Sequence, residues 1–431
     1  MSFSNVKKLS QLYQPVTSTI YTAKKSKVPS KSYENLIKYG LIQQIANGMY
    51  AMLPLGLRVL NKLTAIVDTE MERIGAQKLL LPALVPIHLW EETNRLNNIT
   101  ELFKIKDRSQ KDYILGPTYE ETICFMLSEA AKTISINVLP LKLYQISNKW
   151  RDEIKPRHGF LKSREFIMKD LYTFDINLIS AQDTYASVCE AYTKIFNKIG
   201  IKSIKAIGNP GLIGGSVTHE YHYACNIGED IVCVCSSCQH AINKSMCKET
   251  HCPYCKNAFH EEQTIEVGHA FLLDTKYTIP LNVTKQINNI STPLAMGCFG
   301  LGLTRIFTAI SEILSTDKEL RWPKNLAPYT VCVIPPKNNS KEESKSQYIN
   351  QIIEILNQLN IDTILDDRTN LTIGNRFLQA RMIGFPYVII IGKSIMKSPP
   401  LLEVHNINNL TNCEISVDNV PTYFNNENIK L

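Results

Sequence analysis

Apolar residues recur at helical spacing from Leu55 to Ile74, at Leu57, Leu60, Leu63, Val67, Met71 and Ile74, and Gly75 follows where a C-cap belongs. This predicts a long amphipathic helix. Lys78 to Leu81 is a short apolar stretch closed by Pro82 and reads as a strand that stops abruptly. Leu143 to Glu153 and Glu165 to Phe174 read as two further strands joined by a basic loop. The middle of the chain alternates strand-like and helix-like stretches up to Arg321, and Trp322 to Pro328 reads as a linker. Beyond it, Tyr329 to Pro335, Gln347 to Leu359, Ile361 to Leu365, Ile373 to Ile383 and Tyr387 to Ile391 follow a β-α-β-α-β order, which implies a small, largely parallel open sheet.

Composition adds scale. A chain of 431 residues with 44% hydrophobic content can bury two or three cores. No apolar run approaches the roughly eighteen residues that span a bilayer, so no membrane partner is expected. The formal charge of +7 is compatible with a phosphate-backbone partner but too small to argue for one. Residues 1–32 are rich in lysine, serine and threonine, and no acid precedes Glu34; this fits a matrix-targeting segment, or else a disordered basic N-terminus or an arm that touches nucleic acid.

Three groups of residues carry chemistry. In an extended strand Arg151 and Glu153 share one face, and the loop after them holds Lys155, Arg157, His158, Lys162 and Arg164, a set that suits a triphosphate. Gly297 to Arg305 (GCFGLGLTR) combines glycines that allow close backbone approach with a forked guanidinium at a helix start. Six of the twelve cysteines lie between Cys233 and Cys255, and the pairs Cys235/Cys238 and Cys252/Cys255 have the spacing of two knuckles sharing a tetrahedral zinc. Reduced thiols left from a decayed site, or a redox pair at Cys252-Pro-Tyr-Cys255, are the other readings.

In order and spacing, the helix and strand ending at Pro82, Arg151-x-Glu153 with its loop and Phe166, and Gly300-x-Gly302-x-x-Arg305 resemble the three motifs of class II aminoacyl-tRNA synthetases. The strings LGPTYEE (115–121), WRDE (150–153), REFIMKD (164–170), GGSVTHEY (214–221) and IEVGH (265–269) are similar to those of prolyl-tRNA synthetases. LDDRTNLTI (365–373) resembles the mitochondrial branch. The resemblance implies an α/β fold class: an α+β catalytic core at 33–322, built on an antiparallel sheet flanked by helices, with a short Cys-rich insertion at 229–263. A βαβαβ anticodon-binding domain at 325–431 would follow.

It also implies an ATP-dependent ligase that joins proline to tRNA(Pro) through a prolyl-adenylate in the mitochondrial matrix, or in the cytoplasm if the first segment is not a targeting signal. Arg151 would clamp the α-phosphate and the proline carboxylate, Arg305 the γ-phosphate, and Phe166 would stack on adenine. Glu153 would accept a hydrogen bond from the nucleotide, and Thr118 and Glu120 would meet the proline ammonium. Arg164 and His269 complete the implied substrate set. Mg²⁺ on the phosphates, Zn²⁺ on Cys235, Cys238, Cys252 and Cys255, and a homodimer through the first motif are the further expectations. Two positions depart from the family pattern: Lys162 replaces a frequent arginine, and Asp274 a usual glycine. The insertion is too small for an editing domain. The competing reading is a synthetase-like accessory protein that binds nucleic acid without catalysis, against which Arg151, Glu153, Phe166 and Arg305 all stand in place.

Overall fold

A computed structural model describes residues 6–15, 30–287 and 289–427. Among these residues the larger part of the chain is built on a nine-stranded, mostly antiparallel sheet. Its centre consists of Leu141–Trp150, Glu165–Asp175, Ala295–Gly302 and Phe259–Asp274, each antiparallel to the next. The helices Pro54–Arg73, Leu178–Ile199 and Leu303–Leu314 cover one face. Their apolar sides, with Leu63, Val67, Val188, Ile195, Ile306 and Ile310, join one core with Leu171, Phe299 and Leu301 of the sheet. The predicted first helix is present as Pro54–Arg73, with proline in its first turn where no backbone donor is needed.

Three expectations are corrected. The strand after this helix is only Gln77–Lys78; the Leu79 N–H makes the last ladder bond, to the Tyr144 carbonyl at 2.8 Å, and the chain leaves the ladder before Pro82. The strand Leu141–Trp150 ends before Arg151, so period-two alternation does not govern Arg151 and Glu153; the Glu153 N–H instead closes a tight turn on the Arg151 carbonyl at 2.8 Å. The expected linker at 322–328 is packed rather than loose. Trp322 is fully buried against Phe307 and donates its indole N–H to the Ile383 carbonyl. Across this seam Arg58 and Lys62 of the first helix both pair with Asp362.

The C-terminal unit has the predicted β-α-β-α-β core, Val331–Ile334, Gln347–Gln358, Thr363–Leu365, Ile373–Ile383 and Tyr387–Ile390, with parallel strands. Two antiparallel strands, Leu401–Asn406 and Thr411–Ser416, extend one edge. On the other edge Lys7–Lys8 pairs in parallel with Thr363–Leu365, Leu9 is buried, and the Ser10 hydroxyl donates to Asp367. Residues 6–15 thus dock on this edge of the sheet; residues 1–5 and 16–29 of the expected targeting segment lie outside the described residues.

Candidate active site

A cavity of about 390 Å³ opens on the sheet face opposite those helices. Thr118, Glu120, Arg151, Glu153, Phe166, His269 and Arg305 all line it. Strand ends and turns bring them there. Arg151 and Glu153 follow the strand Leu141–Trp150, Phe166 is the second residue of its antiparallel partner, and Arg305 stands in the first turn of the helix Leu303–Leu314. Gly300 also lines the cavity, where a Cβ would sit in ordinary contact with the Met168 side chain. Arg164 is the exception. It stands outside the lining and donates through Nε to the Glu153 carbonyl, so it braces the loop from behind.

The floor is buried and its charges are paired. Glu120 is fully buried and accepts from Thr118 Oγ1 at 2.8 Å, from Arg95 at 3.0 Å and from the Cys298 thiol at 3.1 Å. The same Arg95 amino group also pairs with Glu121 at 2.9 Å. Burial pushes both carboxyls up. Arg95 and the hydrogen bonds from Cys298 and Thr118 nevertheless hold Glu120 below the ordinary carboxylate range, whereas Glu121, facing the Glu120 charge, stays raised. One cation serving two acids leaves a net negative charge suited to an ammonium when both are ionised. Deeper still, Lys149 pairs with Asp170 at 2.7 Å, and Asp170 also accepts from Gln145 and Tyr172.

The mouth is different. The Arg151 guanidinium has no carboxylate partner among the described residues and lies 5.2 Å from the centre of the Phe166 ring. Burial and then the Arg305 charge pull it below its ordinary value, the signature of two cations facing one space. Arg305 donates to the Glu266 carbonyl at 3.0 Å. Glu266 also accepts from His269 Nδ1 at 3.0 Å; burial opposes its charge, but this bond and the His269 and Arg305 charges hold it at about 2.

Sequence reasoning assigned no role to Arg95, Cys298 or Glu266. The signal for Glu266 lies in the strand register. His222 faces Glu266 while Tyr221 faces Gly268, so Val267 is an extra residue, and this bulge turns Glu266 and His269 toward one cavity. Of the two departures, Lys162 lines the cavity and bridges Glu153 at 3.6 Å and Glu229 at 3.5 Å. Asp274 adopts φ +52, the left-handed region that glycine supplies freely and aspartate tolerates.

The family description "tRNA synthetase class II core domain (G, H, P, S and T)" matches residues 103–314, and "Anticodon binding domain" matches residues 330–427. The chain is 44% identical to the human "Probable proline--tRNA ligase, mitochondrial" over 384 residues, 87% of this chain and 80% of that protein. The Schizosaccharomyces pombe protein of the same name is 36% identical, covering 86% of this chain and 87% of its own length. The chain belongs to the prolyl-tRNA synthetases, of the mitochondrial type. The fold agrees with the prolyl-tRNA synthetase of Cryptosporidium parvum complexed with L-proline and AMP, at a TM-score of 0.76 and 17% identity over 95% of this chain and 80% of that one.

Outside the cavity, the synthetase carries its four clustered cysteines in two matching turns. Gln239 N–H donates to Cys235 O and Lys256 N–H to Cys252 O, both at 2.9 Å. Cys235 N–H donates to His240 O and Cys252 N–H to Asn257 O, both at 2.8 Å. Gln239 and Lys256 both have positive φ, +61 and +62. The Sγ atoms of Cys235, Cys238, Cys252 and Cys255 all lie within 4.8 Å of one another, a donor set that fits one tetrahedral zinc.

Proposed function

We propose that this cavity makes prolyl-adenylate from proline and ATP and then charges tRNA(Pro), and that the enzyme works as a homodimer in the mitochondrial matrix. The observation that carries this reading is the pairing of an acidic, closed floor with a mouth whose cations face one another. Proline seats its ammonium on Glu120 and Thr118, which leaves its carboxylate pointing toward Arg151. Arg151 draws that carboxylate and the α-phosphate together, offsetting the charge that builds as a carboxylate oxygen attacks phosphorus and pyrophosphate departs. Arg305 holds the γ-phosphate, Phe166 offers its face to adenine, and Glu153 accepts from the nucleotide. In the second step the terminal ribose hydroxyl of the tRNA attacks the prolyl carbonyl carbon and AMP leaves.

Mg²⁺, when bound with ATP, supplies charge neutralisation at the phosphates, and Glu153 and Glu266 are lining carboxylates that would meet its water shell. Zn²⁺ on Cys235, Cys238, Cys252 and Cys255 is structural. The catalytic domain spans 33–322 and the anticodon-binding domain 325–431, with the segment at 6–15 serving the latter. For the dimer, the support is the apolar surface beside the first motif, where Leu80 is 76% exposed and Leu84 47%. The mitochondrial names of the relatives support a mitochondrial address, within which the matrix is the compartment proposed.

The direct test is transfer of labelled proline to tRNA(Pro) by the purified enzyme, dependent on ATP and Mg²⁺, with sedimentation in parallel. A folded protein that binds the tRNA without charging it would refute the catalytic reading. An active monomer at micromolar concentration would refute the dimer.

A further inference from the structure

We infer that Glu229 is a positioning residue for the loop at 151–164, and that the four-cysteine site acts on the active site through it; the second half rests on zinc being bound there. The loop tip is closed by a two-way backbone bridge between Arg157 and Lys162, at 3.0 and 3.2 Å. One carboxylate grips both of these residues. Glu229 Oε1 accepts from Arg157 Nε at 2.5 Å, and Oε2 lies 3.5 Å from Lys162 Nζ, whose other acid is the cavity carboxylate Glu153. Without Glu229, Lys162 would be left to Glu153 alone, and the wall that carries Phe160, Leu161 and Lys162 into the cavity would lose its outer tether.

Glu229 is itself held on a fixed backbone. A Cβ on the preceding Gly228 would fall 2.0 Å from the Thr264 carbonyl oxygen, so only glycine fits, and Gln263 donates to the Gly228 carbonyl at 2.8 Å. From there the strand Asp230–Cys235 runs antiparallel to the long strand Phe259–Asp274, from Asp230 opposite Thr264 to Cys235 opposite Phe259. The metal site sits at the far end of this ladder. Cys235 ends the first strand, while Cys252 and Cys255 belong to the hairpin that enters the second, where Phe259 N–H donates to Thr250 O. A metal shared by these thiolates fixes the register of the two strands. A slip of one residue moves a strand by about 3.3 Å and flips its side chains, enough to take Glu229 off Arg157. The long strand then continues to Glu266 and His269, so the same register serves both walls of the cavity.

The test is steady-state pyrophosphate exchange by the purified, metal-analysed enzyme. Glu229→Gln is expected to raise KM for ATP about two- to fivefold, the range of a partly exposed ion pair, while KM for proline stays within error because the floor is untouched. A merely structural defect would lower the active fraction and shift neither constant selectively. Glu229→Arg combined with Arg157→Glu is expected to recover the wild-type KM for ATP. Removing zinc with a chelator should raise KM for ATP in the wild type and add nothing in Glu229→Gln. An unchanged KM for ATP in Glu229→Gln would overturn the positioning role. Chelation effects that add fully to the variant's would overturn the coupling. Absence of stoichiometric zinc from active wild-type enzyme would instead refute the zinc reading, leaving the Glu229 result to stand or fall separately.

Discussion

The floor and the mouth of the cavity solve opposite electrostatic problems. On the floor every charge has a partner: Arg95 holds Glu120 and Glu121, Lys149 holds Asp170, and all five are nearly or fully buried. At the mouth Arg151 and Arg305 face the same space, and Arg151 is left without a carboxylate. A site for a small zwitterion needs a rigid, pre-paired socket. A site for a triphosphate needs positive charge that only the ligand completes. The difference predicts that damage to the floor shows first as lost stability, and damage to the mouth as lost rate.

Arg95→Met should give the largest effect, because it leaves two buried carboxylates without their cation. Breaking a buried pair this way costs about 3–5 kcal/mol, to be read from urea denaturation. An unchanged midpoint would mean that the floor is not the rigid, paired socket described above. Arg151→Ala should do the reverse: a fall of about 10²–10³ in the rate of proline-dependent pyrophosphate exchange, with the denaturation midpoint preserved. If stability fell instead, the contrast would collapse.

The floor also sharpens through pH. Lys169, fully buried beneath it with its Nζ on Tyr192 and the Phe299 carbonyl, is pulled down to about 7 by burial, against the opposing Asp170 and Cys298 charges. An unfolded lysine titrates near 10.4, so between about pH 7 and 10 the unfolded chain binds more protons and stability rises with pH, by at most about 1.4 kcal/mol per unit. Below pH 7 both states are charged and this dependence vanishes. Lys169→Met should flatten the rise, which urea titrations across that range would detect.

The smallest expected effect is none at all. Each missing methylene weakens binding by only about 1–3 kcal/mol, so the floor should admit alanine detectably. The segment 229–263 is occupied by strands and cysteine turns, with no room for an editing domain. Preformed alanyl-tRNA(Pro) should therefore be hydrolysed no faster than in buffer. Rapid enzyme-dependent deacylation would reveal another editing site.

Much of this contrast was expected from the family resemblance rather than from the residues alone, and the exceptions have physical causes. Arg151, Phe166 and Arg305 were singled out by the motifs they stand in, and all three line the cavity. The floor was half readable: Thr118 and Glu120 stand together in sequence, but Arg95 and Cys298 reach them from remote elements. Glu266 was hidden by the bulge at Val267, since strict alternation puts residues 266 and 269 on opposite faces. The period-two argument put Arg151 and Glu153 into one space by the wrong geometry, since a turn rather than a strand brings both to the cavity wall. The pairing of Lys7–Lys8 with residues 363–365 was not legible, because edge-strand pairing is non-local and leaves no periodic trace.

The central claim is that this cavity selects proline and activates it with ATP. Pyrophosphate exchange into ATP, measured with each of the twenty amino acids in turn, tests it most directly. The account predicts strong exchange with proline, a weak signal with alanine and background with the rest. Exchange driven best by another amino acid, or none with proline from a folded enzyme, would contradict it.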